Sequence, residues 1–308
     1  YIAMFPQLVA GPIVRYATVC EQIAFRRTTW EMFSGGIVRF VIGLNKKVLL
    51  ANMLAEVADS AFALRGMSVA MAWLGAVCYT LQIYFDFSGY SDMAIGLGRM
   101  FGFNFLENFN YPYVSRTVTE FWRRWHMSLG SWFRDYVYFP LGGSRVSRGR
   151  LIVNLAVVWF ATGLWHGANW TFILWGCLYG VLIAGEKLSG LVERVERSAP
   201  LRCLYQPFTL LMVVLGWVLF RAPTLDAAGN YLKVMFGNGV FSDVNFTFWA
   251  REMAVPLVCA MVGSVPWHAR ISHPVAVGFG YLLQFVLFAV SISCLVMNSH
   301  NPFIYFNF

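Results

Sequence analysis

Long stretches without a charged residue dominate the pattern of this chain, and one of them holds a histidine. Residues 151–185 contain no Asp, Glu, Lys or Arg, but His166 lies near their middle. A bilayer core accommodates about 20 residues of helix, so this stretch is too long for one comfortable span. Gly163 and the sequence HGAN at 166–169 predict a break between two hydrophobic helices. An ionisable side chain at membrane depth is costly, so the pattern predicts a functional imidazole at that break.

Further charge-free stretches predict a polytopic membrane protein. They comprise residues 68–85, 203–220, 253–269 and 271–308, with 33–50 as a weaker candidate. Their lengths predict an all-α fold of roughly six to eight transmembrane helices in a single domain. That domain is expected to cover residues 1–308. Prolines and a glycine interrupt the apolar residues 1–15, which favours a broken or re-entrant segment there.

Residues 118–133 have apolar side chains at helical spacing, with polar side chains on the opposite side. Arg123 and Arg134 fall on the polar side, and His126 lies at the border of the two. This pattern predicts an interfacial amphipathic helix, or two such helices separated near Gly130.

Other segments allow coarser predictions. Residues 224–236 form a second amphipathic pattern, with a threonine N-cap and a glycine after the last residue. Residues 186–202 are predicted to be an ordinary hydrophilic loop. Residues 68–89 are predicted to be a span that ends in the polar cluster 86–92, followed by an interfacial helix over 93–103.

Composition and charge narrow the function classes. The chain is 58% hydrophobic and 12% charged, and its formal net charge is +8. The charged fraction is about half that of a soluble domain. Basic residues gather in short loops, so the net charge reflects the positive-inside tendency rather than nucleic-acid binding. Residues 116–150 hold seven Arg and no Lys, and we expect them to face the cytoplasm.

The six cysteines show no metal-ligand or disulfide spacing and are predicted to be small core residues. The chain starts without a methionine or a visible signal peptide, so we expect membrane segments upstream of it.

His166 is the first candidate for chemistry. A neutral imidazole beside a cavity can deprotonate an alcohol for attack on a thioester. The alternative is a packing histidine whose ring is satisfied by a backbone carbonyl, and the residues leave both open. For His126, an imidazole that reaches toward lipid headgroups is the alternative to catalysis, and it is the interpretation that the pattern favours.

Arginines and aspartates are weaker candidates. Arg123, Arg124 and Arg134 suit bidentate binding of phosphate, as in a coenzyme A donor, although anionic lipid headgroups are an equally good ligand. Asp86 and Asp92 are expected to cap helices or to pair with Arg99 or a loop arginine. No role is assigned to the remaining histidines, His268, His273 and His300.

Several strings together resemble one family. They are FPQLVAGPI (5–13), YFDFSGYSDMAIGLGRMFGF (84–103), FWRRWHMSLGSWFRDYVYFPLGGSR (121–145), GLWHGANWTFILWG (163–176), WVLFRA (217–222) and NPFIYFNF (301–308). In this order they resemble the membrane-bound O-acyltransferases, and within them the branch that acetylates bacterial alginate.

This resemblance implies a ring-like helical membrane protein with a central funnel. His166 matches the family's catalytic histidine, and His126 matches a second functional histidine of this branch. No permanently bound cofactor is implied. The acyl donor, typically acetyl-CoA, is expected to approach from the cytoplasm. The acetyl group is expected to leave toward a polysaccharide, or toward a periplasmic partner acyltransferase of the SGNH type, outside a bacterial inner membrane.

Alternatives stay open at this point. Related proteins transfer D-alanine to teichoic acid, and peptidoglycan or cellulose are possible acceptors. Broken helices with buried ionisable groups are also typical of transporters, although no inverted repeat is visible. A scaffold that docks an extracytoplasmic enzyme is the third interpretation.

Overall fold

The computed structural model describes residues 1–2, 4–8, 11–266 and 274–297, with side chains from residue 278 onward in the last segment. His268, His273, His300 and the string 301–308 lie outside the described residues. The described part contains no strand, which agrees with the predicted all-α class. Its helices are α1 (Tyr16–Phe25), α2 (Trp30–Asn45), α3 (Asn52–Ala63), α4 (Val69–Met100), α5 (Val118–Arg124), α6 (Met127–Phe133), α7 (Arg148–His166), α8 (Trp170–Ser189), α9 (Leu191–Arg197), α10 (Ala199–Arg221), α11 (Leu225–Met235), α12 (Val244–Glu252), α13 (Ala254–Gly263) and α14 (Pro274–Met297).

The centre of the fold is α4, against which α2, α3, α10 and α11 all pack. It has 32 residues and runs without interruption through the polar cluster 86–92. The predicted end of a span at this cluster, and the separate interfacial helix after it, are therefore wrong. The helix continues because its two aspartates are neutralised from a neighbouring helix rather than by Arg99 or a loop arginine. Asp86 pairs with Lys47, and Asp92 pairs with Arg39 and Lys46.

A π-helical turn, Lys46–Ala51, joins α2 to α3 without a break. It lies opposite the polar part of α4, where Lys46 and Lys47 reach Asp92 and Asp86. Turns of this kind occur often at functional sites, and here the turn carries the two lysines of a buried charge cluster.

Residues 151–185 form the helical hairpin that their sequence predicts. Helix α7 ends at His166 and α8 begins at Trp170, so the break lies at residues 167–169. Glycines let the two helices approach closely: a Cβ at Gly163 would lie 2.5 Å from the carbonyl oxygen of Phe172. Helix α10 packs against α8, the second helix of this hairpin.

Residues 186–202 are helical rather than the predicted loop. They contain the end of α8, all of α9 and the start of α10. Most of this segment is polar, but the apolar side chain of Val195 is fully buried. Glu186 is also buried and binds backbone N–H groups of α5, as described below.

Fewer helices could cross a membrane than the sequence predicts. Within the described residues, α8, α10 and the 278–297 part of α14 are long and apolar enough. The pair α12–α13, bent by 59°, would make a fourth if it is one broken span. By length and composition the described residues thus hold fewer candidate spans than the six to eight that the sequence predicts. The protein is nonetheless a multi-pass membrane protein by its apolar helices.

Two smaller predictions have mixed outcomes. Helix α11 is capped by Thr224, whose hydroxyl accepts the N–H of Ala227, but Phe236 of its predicted stripe is 65% exposed. All six thiols are free, and of these only Cys78 is buried. The prediction of core cysteines is wrong for Cys177, Cys203 and Cys259, which are exposed, because they lie on outward faces of apolar helices.

Candidate functional site

His126 lies at the junction of two short helices rather than along one. Its φ of 45° is left-handed, so α5 ends at Arg124 and α6 starts at Met127. The break between the two predicted helices is thus at His126 and not at Gly130. The predicted apolar face has seven positions, and five of them are buried: Val118, Phe121, Trp125, Leu129 and Phe133. The other two, Trp122 and Trp132, are not fully covered.

The His126 side chain is buried, with 6% of its surface exposed. Its Nδ1 lies 3.1 Å from Oδ1 of Asn108, and its ring meets Phe87 edge to face. The favoured interpretation, an imidazole reaching toward headgroups, is therefore wrong, because the tertiary fold covers the ring. Burial lowers the pKa of His126 well below its ordinary value, and the charge that His166 can carry lowers it further. The ring is consequently neutral near pH 7.

His166 ends α7 among aromatic rings. The ring centroids of Trp165, Trp175 and Phe220 lie 4.8, 5.1 and 5.1 Å from that of His166. In the described part of the chain no residue hydrogen-bonds its ring nitrogens, so the alternative of a carbonyl-bound packing histidine finds no support there.

One cavity brings the two histidines together. It has a volume of about 240 Å³ and lies between α5–α6 on one side and α7–α8 on the other. Trp165 contacts both imidazoles, with its ring centroid 6.0 Å from that of His126. Basic and phenolic groups also line this cavity, namely Arg123, Arg134, Tyr138 and Lys187. The arrangement combines imidazole rings with positively charged side chains in one cavity.

The three arginines do not form a single cluster. Arg123 lines the histidine cavity and also a second cavity of about 320 Å³. Arg124 lines only the second one, where its Nε donates to Glu120 at 2.9 Å. Arg134 lines the histidine cavity and donates to Asp135 at 3.0 Å. Arg134, with Arg15, holds the pKa of Asp135 below its ordinary value.

Sequence reasoning missed three residues of this region. Lys187 donates to the Tyr138 hydroxyl at 2.9 Å. It follows Ile183 by four residues, so the two side chains share one face of α8, and both line the histidine cavity. This spacing could have identified Lys187 from the sequence. Asn108 stands alone in a loop and offered no signal.

Glu186 is the third missed residue. Its carboxylate accepts the N–H groups of Val118 and Thr119 at 2.7 and 2.8 Å, and the hydroxyl of Tyr205 at 3.1 Å. This buried carboxylate holds the N-terminus of α5 against α8, and α5 leads directly to His126.

Comparison with known proteins points to one family. Residues 1–220 match the profile of the membrane-bound O-acyltransferase family. A probable alginate O-acetylase AlgI of Pseudomonas putida is 41% identical over an alignment that covers all of this chain and 68% of that protein. The corresponding Azotobacter vinelandii protein is 48% identical, over 80% of this chain. A peptidoglycan O-acetyltransferase of Helicobacter pylori is 39% identical, over 78% of this chain. The chain spans about half the length of the last two relatives.

Proposed function

Because the chain belongs to the membrane-bound O-acyltransferase family, we propose that it transfers an acetyl group from a cytoplasmic thioester to hydroxyls of an extracytoplasmic polysaccharide. The observation that carries the proposal is the cavity that His126 and His166 both line. The names of the relatives support the group transferred, since two denote O-acetylation of alginate and one that of peptidoglycan.

In the proposed reaction His166 is the general base. Its ring takes the proton of the acceptor hydroxyl while the hydroxyl oxygen attacks the thioester carbonyl carbon. The new carbon–oxygen bond forms, the carbon–sulfur bond breaks, and the leaving thiolate takes the proton back from the imidazolium. His126, in the same cavity, assists as a hydrogen-bonding group. Transient transfer of the acetyl group to His166 is the two-step form of this reaction, and brief hydroxylamine treatment would intercept its acetylimidazole.

The proposed donor is acetyl-CoA, which is a substrate and not a resident cofactor. Arg123 and Arg134, on the wall of the histidine cavity, are the groups that we assign to its phosphates. We assign Arg124 to the adjoining cavity. Arg123 lines both cavities.

The proposed acceptor is an alginate-like exopolysaccharide, reached directly or through a periplasmic acyltransferase partner of the SGNH type. The proposed location is the bacterial inner membrane, with residues 116–150 toward the cytoplasm.

The test is the acetyl-ester content of secreted polysaccharide in cells that carry the full-length protein. We compare wild type with His166→Asn, which keeps a polar side chain of moderate size but cannot accept a proton, and with His126→Ala. The matched control is Cys177→Ala, which changes an exposed side chain on α8. Membrane levels are equalised by immunoblot.

We expect at least a 100-fold loss of acetyl esters for His166→Asn, because a positioned acid–base group contributes about 10²–10⁴-fold. The control is expected to match wild type. Full acetylation by His166→Asn would reject the mechanism, and esters found on peptidoglycan instead of the exopolysaccharide would reject the proposed acceptor.

A further inference from the structure

Asn108 occupies a fully buried position in the loop between α4 and α5. Its backbone oxygen accepts the N–H of Met127 at 2.9 Å, so the loop is tied to the residue that follows His126. Its side chain therefore has little freedom beside the imidazole.

The orientation of the Asn108 amide is fixed by a backbone group. Oδ1 lies 3.2 Å from the backbone nitrogen of Ser128, which can only donate. The atom facing Ser128 and His126 is therefore oxygen and not nitrogen. The Ser128 hydroxyl donates to the same oxygen at 2.8 Å, and Asn108 Nδ2 donates to Ser91 Oγ at 3.1 Å.

An amide oxygen accepts hydrogen bonds and cannot donate them, so the 3.1 Å contact with His126 Nδ1 is a hydrogen bond only when Nδ1 carries the hydrogen. The Ser128 hydroxyl also lies 3.4 Å from Nδ1, but its shorter contact is the 2.8 Å hydrogen bond that it donates to Asn108 Oδ1. In a neutral imidazole the other nitrogen then carries the lone pair. We propose that Asn108 is a positioning residue that holds His126 in the Nδ1–H tautomer, which leaves Nε2 as the acceptor that His126 presents to substrate. The catalytic meaning of this inference rests on the proposed function, whereas the tautomer itself does not.

The inference also gives a role to the polar stretch of α4. Ser91 belongs to that stretch and is buried, and it accepts from the Asn108 amide. A chain of hydrogen bonds thus runs from the central helix through Asn108 to the His126 ring.

The experiment is ¹⁵N NMR of the full chain labelled at histidine and reconstituted in lipid. The chain has five histidines, and the spectrum of His126→Gln identifies the His126 signals by their loss. We expect wild type to show a protonated Nδ1 and an unprotonated Nε2. A wild-type ring with hydrogen on Nε2 would overturn the proposal, and this measurement needs no variant of Asn108.

Variants add a second criterion. Asn108→Asp keeps an accepting oxygen beside the ring, so Nδ1 of His126 is expected to stay protonated. Asn108→Ala removes the acceptor, so the ring is expected to populate both tautomers, and kcat to fall by about 10²-fold with little change in KM. The matched control is Asn45→Ala, which removes another buried asparagine that binds Gln284 and Ser291 of α14. It is expected to leave the His126 signals in place.

Unchanged His126 signals in Asn108→Ala would overturn the proposal. If wild type has hydrogen on Nδ1 but His126→Ala acetylates normally, the tautomer assignment holds and it is the proposed role of His126 that fails. The two failures are thereby distinguishable.

Discussion

Backbone strain is concentrated beside the buried imidazole. Among the described residues, Tyr111 and His126 are the non-glycine residues with positive φ, at 46° and 45°. Each lies next to a backbone hydrogen bond that joins the same two segments, Asn110 to Arg124 and Met127 to Asn108. Left-handed backbone costs a residue with a Cβ about 1–2 kcal/mol. The backbone hydrogen bonds between these segments require a left-handed turn at His126, and this turn places the His126 ring beside Asn108.

Relief of this strain should separate stability from activity. We expect His126→Gly to be more stable than His126→Ala by about 1 kcal/mol, because glycine adopts left-handed backbone without steric cost. Both variants should be equally impaired in acetyl transfer. Thermal unfolding midpoints in detergent, with acetyl-ester assays in parallel, check this. Equal midpoints would show that the turn at His126 stores no strain.

At the level of helices, α2 and α4 meet through paired glycines. A Cβ at Gly36 would lie 2.6 Å from the carbonyl oxygen of Gly96, and one at Gly43 would lie 2.5 Å from that of Gly89. Both pairs recur after seven residues, which keeps them on one face of each helix. Small residues let helix backbones approach closely in membranes. This close approach brings the charged residues of α2 and the π-helical turn within reach of Asp86 and Asp92.

Adjacent glycines of α2 provide a matched test. Gly36→Ala should destabilise the protein by about 1–3 kcal/mol, because the added methyl group overlaps the α4 backbone. Gly35→Ala should be neutral or slightly stabilising, since the nearest atom is 3.8 Å away and alanine favours helix. Unfolding midpoints in detergent measure both. Equal effects of the two substitutions would contradict the close contact.

A second link between helices is the Glu186 carboxylate, which holds α5 to α8. Glu186→Gln replaces one accepting oxygen by an NH₂ group that faces an N–H donor. We expect a loss of about 1–3 kcal/mol of stability, the cost of leaving a buried donor unsatisfied. Glu193→Gln on the exposed side of α9 is the control and should change stability by less than about 0.5 kcal/mol. A glutamine variant as stable as wild type would mean that α5 does not depend on this carboxylate.

At the scale of the whole molecule, the α7–α8 hairpin defines two opposite ends. The start of α7 and the end of α8 lie together in an antiparallel hairpin, with Arg148 and Lys187 at that end. The opposite end holds the start of α8, which Asn169 ties to Pro223 at 2.9 Å. Helix α8 has 20 residues and is therefore about 30 Å long, close to the thickness of a bilayer core. The loop after α11 is joined to the start of α4 by the bond from Val69 to Val240.

This arrangement predicts the membrane topology. In a protein whose exposed Cys177, Cys203 and Cys259 are replaced by alanine, Asn238→Cys should react with an impermeant maleimide in spheroplasts. Arg148→Cys should react only after lysis, because arginine-rich loops stay in the cytoplasm. Labelling of both cysteines from the same side of the membrane would contradict the placement of Arg148 and Asn238 at opposite ends.

Local signals in the sequence determined the helical class and several element boundaries. The charge-free run and its central glycines located the α7–α8 break, and Thr224 located the start of α11, because caps and breaks depend on neighbouring residues alone. His126 and His166 could likewise be named from sequence, as ionisable groups in apolar surroundings. Their roles, and those of the three arginines, stay predictions.

Tertiary structure decided which polar groups meet. Asp86 could be assigned to Lys47, Asn108 to His126 and Glu186 to the start of α5 only once the helices were packed. The same packing separated Arg124 from the histidine cavity and turned the expected loop at 186–202 into helix. Sequence shows that a buried charge needs a partner, but the partner lies far along the chain, and only the packing of helices brings the two together.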